Sequence, residues 1–271
     1  MEHHASWLTI LLNKLIGRPV LALLDAIGVH PHNRSLPVPE HIVMSFFVVL
    51  LVTLFALFLR RRLSVDRPGA MQQIAEMLLT NPMGLGIRDL LDTNVGHHGR
   101  HYLPFVGTIS IFILVSNAIS LIPAFTSPTI HPSVPLACAV LTFLYYNGQG
   151  IRHAGALGYA KHFAGPIWWL APLMVPVELV SHSARMLSLT VRLYANIFSS
   201  ELLYVTILGL LLTPTAHLAE KNIVLGGAVG IFAAALPVVF LLLHAFVAVM
   251  QAFVFTILPT IYLGMATAEE H

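Results

Sequence analysis

Hydrophobic residues in this chain run in long uncharged blocks separated by short polar stretches, and the blocks are too long for the alternating pattern of a half-buried strand. Residues 42–59 carry no charge, are long enough to cross a bilayer, and are followed at once by Arg60, Arg61 and Arg62. Basic residues gather on the cytoplasmic side, so this first span ends inside and the N-terminal segment, 1–41, lies outside. That segment holds Trp7, Leu8, Ile10, Leu11, Leu12, Leu15 and Ile16, broken by Lys14 and Arg18, which predicts a helix lying on the membrane surface. A signal peptide fits less well, because the start, Met1-Glu2-His3-His4, is not basic and no small-residue cleavage site follows.

Residues 60–104 are mixed, with Met71, Ile74, Met77 and Leu78 at helical spacing, and read as cytoplasmic amphipathic helices. Residues 105–147 supply a second and a third span, over 105–121 and 134–146, around an outer turn rich in proline (Pro123, Pro128, Pro132, Pro135). A Gly-rich cytoplasmic loop over 148–166 brings the chain to Trp168 and Trp169, an interfacial anchor. Residues 167–263 form two long helices about a turn near Asn222, and 264–271 is a cytoplasmic tail. The fold expected is an all-α membrane protein of about five or six membrane helices, one domain, with a surface helix at its N-terminus and a long antiparallel hairpin near its C-terminus.

Composition agrees with this pattern: of 271 residues, 57% are hydrophobic and 10% charged, and the mean hydropathy of +0.81 is outside the soluble range. A net charge of +2 gives no reason to expect nucleic acid, and the single cysteine, Cys138, sits in an apolar run where it packs as a small hydrophobe. In the topology above, eight basic residues fall inside and four outside, with Arg185 and Arg192 left within the hairpin.

Arg192 is the most informative residue, because a charge at bilayer depth costs roughly 3 kcal/mol on insertion scales and is normally kept for ion or proton traffic. Steps of seven from Glu178 to Arg185 to Arg192, and of four to Asn196, put these residues on one helical face, whereas Glu201 is turned by about 180°. The second helix has no charge at all, and its strongly polar side chains are His244 and Gln251. An antiparallel hairpin levels Arg192 with Gln251, and Glu201 with His244 about 13 Å nearer the turn. A Glu and His pair in a dry setting exchanges protons near neutral pH, while an arginine keeps its proton and stays a fixed positive charge.

These residues carry a family likeness. Arg192-Leu193-Tyr194-Ala195-Asn196 with Glu201-Leu202-Leu203, then His244, Gln251-Ala252-Phe253-Val254-Phe255 and Tyr262-Leu263-Gly264-Met265-Ala266, closely resemble subunit a of the F-type ATP synthase. The likeness extends upstream through Pro68-Gly69-Ala70-Met71-Gln72, Asn117, Leu121-Ile122-Pro123 and Ser127-Pro128-Thr129, so it covers nearly the whole chain. It implies a stator that feeds protons to a rotor ring of c-type hairpin subunits, alongside b-type peripheral-stalk subunits and, indirectly, a soluble ATPase head. It also implies no enzyme activity in isolation, no cofactor and a bacterial inner membrane.

By the same resemblance Arg192 matches the essential arginine that attracts the ring carboxylate and blocks direct proton flow between two offset half-channels. Glu201 and His244 match the outer half-channel pair, Asn196 and Gln251 match polar neighbours of the arginine, and Glu178 matches an acid of the inner half-channel. Ser120 stands where some relatives carry an acid, which weakens the case for an outer-channel role there; Asn117 and His182 are further weak candidates. Arg185 reads as a cytoplasmic-side anchor, and His97, His98 and His101 lack acids or thiols at ligand spacing, so no metal site is expected. The alternative is a secondary ion or solute transporter, but those usually show repeated halves, and here the polar stations occur only in the C-terminal half.

Overall fold

The computed structural model describes residues 6–28, 34–81, 83–96, 99–122, 125–164, 168–221 and 223–267, with the backbone alone at 156–157, 160–164, 168, 212–214, 216–221, 223–229 and 231–234. Among these residues it holds eight α-helices and no strand: α1 (Trp7–Ile27), α2 (Glu40–Arg60), α3 (Ala70–Leu79), α4 (Ile87–Val95), α5 (Gly99–Ala118), α6 (Ser133–Ala164), α7 (Ala171–Lys221) and α8 (Ile223–Thr267). Among the described residues, four stretches are long and apolar enough to cross a membrane, over Glu40–Arg60, Gly99–Leu121, Ala171–Leu211 and Ala235–Thr267. The protein is an all-α integral membrane protein.

The surface helix α1 is built inside out. Its buried residues are Thr9, Asn13 and Gly17, one face at a spacing of four, while Leu11, Leu15 and Leu23 are exposed. Asn13 ties that polar face down, accepting from the backbone N–H of Val38 at 2.9 Å and donating to its carbonyl at 3.0 Å. The apolar face is thus turned to the surroundings, as a helix in contact with lipid requires. Likewise α2 buries Met44 and Val48 in a cluster with Ile119, buries Val43 as well, and leaves Leu54, Leu57 and Phe58 outside.

The two C-terminal helices are 51 and 45 residues long. At 1.5 Å per residue each exceeds twice a hydrocarbon thickness of about 30 Å, so neither fits upright in the bilayer and both must tilt or run beyond it. They pack against each other along their length, with α5 and α6 on one side. The core between them consists of Ile113, Cys138, Ala139, Leu189, Leu193, Ile197, Ala252 and Phe255, and Cys138 packs there as the expected small hydrophobe. A second cluster, formed by Ile87, Leu91, Tyr102, Val106, Tyr146 and Leu263, seats α4 at the other end of the hairpin. There α8 approaches so closely that a Cβ on Gly264 would stand 2.2 Å from the Asn94 carbonyl oxygen. The glycine of the Tyr-Leu-Gly-Met-Ala segment is a packing residue.

One sequence expectation is corrected. The stretch 148–166, read as a Gly-rich loop, is helical as far as Ala164 except at Gly155, whose φ of 74° breaks α6. The glycines serve contact as well as freedom: a Cβ on Gly150 would meet the Tyr159 ring at 2.4 Å, so the chain folds back on itself only because none is present. The third span expected at 134–146 is the first part of α6, which is not among the four long apolar stretches because its apolar run ends at Tyr146. Asn222, expected in the hairpin turn, and Pro123 in the outer turn lie outside the described residues.

Candidate functional site

The hairpin carries three polar stations, and their order along α7 fixes their order in depth. At the end near α4, Glu178 Oε1 lies 3.2 Å from His182 Nε2 and 3.9 Å from Arg185 Nη2. His182 is buried, and its other ring nitrogen meets the Tyr146 hydroxyl at 3.0 Å. The Arg185 guanidinium lies 5.4 Å from the centre of the Tyr262 ring. Glu178 and Arg185 do share a face, as a step of seven requires, but Arg185 is engaged with protein groups and does not reach away as the anchor expected of it.

The middle station is about 20 Å along the helix, fourteen residues further on. Leu193 and Ile197 face the core and are fully buried, which turns Arg192 outward. The guanidinium reaches only back along its own helix, to Ser188 Oγ at 3.5 Å, and among the described residues no carboxylate stands within ion-pair distance. Around it Leu187, Val191 and Phe198 are exposed and apolar. Gln251 is buried on α8 at the same level, where its Oε1 accepts from Asn196 Nδ2 at 2.8 Å. Its Nε2 is buried with no partner among the described residues.

The third station centres on His244, which is buried between two hydroxyls. Ser120 Oγ of the α5 extension is 2.8 Å from Nε2, and Ser200 Oγ of α7 is 2.7 Å from Nδ1. Each serine also has a backbone carbonyl to donate to, Asn117 O at 2.8 Å for Ser120 and Ile197 O at 3.0 Å for Ser200. A hydroxyl hydrogen rotates, so both protonation states of the imidazole are satisfied. When both ring nitrogens carry hydrogen, the serines accept from them and donate to the carbonyls; when one nitrogen is bare, its serine turns to donate to it.

Glu201 shares this level but does not touch the histidine: no Glu201–His244 ion pair forms, and Glu201 Oε2 is buried without a partner among the described residues. The hairpin register expected from sequence is therefore present, while the contacts within each level differ by one position or one turn. Gln251 takes Asn196, and His244 takes Ser200. Asn117 is fully buried and acts as a brace: it donates to the Ala248 carbonyl at 3.3 Å and accepts from Thr129 at 2.8 Å, holding α5, α8 and the outer turn together.

Sequence reasoning missed Ser200, and it missed Glu40 at the start of α2. Glu40 Oε1 accepts from Thr126 Oγ1 at 2.9 Å and from the Ser6 backbone N–H at 3.3 Å. The signal for Glu40 was an acid just before an uncharged block; Ser200 had none, since serines are common in apolar helices. Of the three histidines at 97, 98 and 101, His97 and His98 lie outside the described residues and His101 packs edge-on against Tyr102. Groups of His, Cys, Asp and Glu able to hold a metal ion do not occur among the described residues.

Comparison with known proteins follows the same segments. The family model described as ATP synthase A chain matches residues 42–264. "ATP synthase subunit a" of Koribacter versatilis is 39% identical over 269 residues, which is 99% of each chain. Proteins of the same name from Solibacter usitatus and Desulfosudis oleivorans are 41% and 40% identical, covering 92% and 85% of this chain and 95% and 89% of their own.

Proposed function

This chain belongs to the ATP synthase A chain family, and from that premise we propose that Arg192 is the fixed positive charge separating two offset half-channels of a proton-translocating stator. The coarser part rests on the family itself: the chain is a membrane subunit of an ATP synthase complex, and its part there is proton translocation, with no reaction of its own. The observation that carries the finer part is the state of Arg192, an exposed cation in an apolar surface with no acid beside it among the described residues. Such a charge is costly in lipid, and a carboxylate on a second chain is the natural partner, as on each hairpin of a c-type rotor ring.

A proton entering from outside passes the Glu201 and His244 level, loads the ring carboxylate that Arg192 has released, and leaves by the inner side after the ring has turned. His244 is suited to that traffic because Ser120 and Ser200 satisfy it with or without the extra proton. Glu201 is suited because its free oxygen is the open acceptor of that level. Asn196 and Gln251 hold α7 to α8 beside the arginine, so the cation keeps its position while the ring moves past. Glu178, with His182 and Tyr146, is the candidate for the inner side. Arginine is required over lysine because a guanidinium does not lose its proton when desolvated.

The remaining partners follow from this role: b-type stalk subunits to hold the stator still, and a soluble ATPase head reached through them. The orientation proposed has the N-terminus outside and the C-terminus in the cytoplasm of a bacterial inner membrane, with a single membrane domain from 1 to 271. The test is ATP-driven proton pumping in inverted vesicles carrying Arg192→Ala. Loss of pumping with the complex still assembled is expected, and pumping at the wild-type rate would overturn the assignment.

A further inference from the structure

We infer that Glu40 is a second carboxylate of the outer proton path, collecting protons at the outer end of α2 and handing them to Glu201, an inference that rests on the half-channel reading above. The start of α2 and the outer half of α7 are separated in sequence by more than 150 residues, yet the outer turn brings them together. Residues Pro128–Ile130 of that turn pack against both α2 and α7, and Thr126, just before them, donates its hydroxyl to Glu40 Oε1 at 2.9 Å. Glu40 is half-buried there, and on α7 Glu201 keeps its Oε2 buried without a partner among the described residues.

The path so inferred has two carboxylates in succession, Glu40 and then Glu201. The two ends of that pair differ. Glu40 Oε1 has two donors, the Thr126 hydroxyl and the Ser6 N–H, and Glu40 stands at the helix end where α1, α2 and the outer turn meet. Glu201 lies deeper along α7, level with His244. In each transfer Glu40 gains a proton from water on the outer side, an O–H bond at Glu40 breaks as one at Glu201 forms, and Glu40 returns to its anion. The other titratable groups at this mouth are His41, next in sequence, and His131, whose ring stacks on it at 3.9 Å between centroids.

The test uses the assembled complex in inverted vesicles, whose lumen corresponds to the outer side, with ATP synthesis driven by an imposed proton gradient and normalised to complex present. Glu40→Gln keeps an oxygen for Thr126 and Ser6 and removes only the exchangeable proton. It should lower the rate by about tenfold or more near neutral lumen pH, with the deficit shrinking as the lumen is acidified and protons reach Glu201 unaided. Glu40→Asp should keep most of the rate. A wild-type rate for Glu40→Gln at every lumen pH, or a deficit independent of lumen pH, overturns the inference. Glu201→Gln, run alongside, separates the two claims: if it is impaired while Glu40→Gln is not, only the role of Glu40 falls, and if Glu201→Gln itself keeps the full rate, the half-channel reading falls with it.

Discussion

Arg185 and Arg192 stand two turns apart on one helix and are treated in opposite ways. Arg185 has Glu178 at 3.9 Å and the Tyr262 ring beneath it, so the fold completes its charge from within. Arg192 has no acid within ion-pair distance among the described residues, and an apolar rim. The contrast separates a charge that belongs to the architecture from one that is kept available for another molecule. The same division holds for the carboxylates: Glu178 is engaged by His182 and Arg185, and Glu201 keeps a buried oxygen without a partner among the described residues.

The comparison breaks most visibly if the two arginines are exchangeable. Arg192→Ala should reduce ATP-driven pumping to background while leaving the complex assembled, because the guanidinium's hydrogen bond among the described residues is only the long one to Ser188 on its own helix. Arg185→Ala should do the reverse, lowering the amount of intact complex while what remains pumps. Measuring both pumping and assembled complex distinguishes these outcomes, and identical behaviour of the two variants would dissolve the contrast.

The carboxylates sharpen it next. Glu201→Gln should slow proton-driven ATP synthesis by roughly a hundredfold, the scale of a lost acid–base group. Glu178→Gln should cost less, since an amide oxygen still accepts from His182 and Arg185. A smaller effect follows from packing alone: Gly264→Ala should destabilise the complex by about 1–3 kcal/mol through the collision with the Asn94 carbonyl, read as a lowered midpoint of thermal disassembly. The smallest concerns the serines. Ser120→Ala and Ser200→Ala each remove one hydrogen bond from His244, worth about 0.5–1.5 kcal/mol, and the double variant should slow pumping by more than the two single losses combined.

Much of this was legible before the structure because hydropathy sets the spans and an antiparallel hairpin turns residue number into depth. Gln251 and His244 were levelled with the right part of α7 on that basis alone. The direction each side chain faces was not legible, since 100° per residue extrapolated over nine residues takes no account of bending in a helix of 51. Hence Asn196 and Ser200 take the contacts that Arg192 and Glu201 were levelled for. The glycines of 148–158 misled for a different reason: glycine marks a loop and a close helix contact equally, and only the Tyr159 ring over Gly150 tells which. Glu40 was hidden because its partner, Thr126, belongs to another turn of the chain, a contact that no local pattern encodes.

The central claim is that Arg192 is a barrier as well as an attractor, and a proton leak tests this most directly. Vesicles stripped of the ATPase head, with the membrane sector retained, are given a pH gradient and its decay is followed by a fluorescent dye. With Arg192→Ala the gradient should collapse faster than in the wild type, because the two half-channels exchange protons without the fixed charge between them, even though ATP-driven pumping is lost. A decay no faster than wild type, in vesicles holding the same amount of assembled sector, would contradict the account.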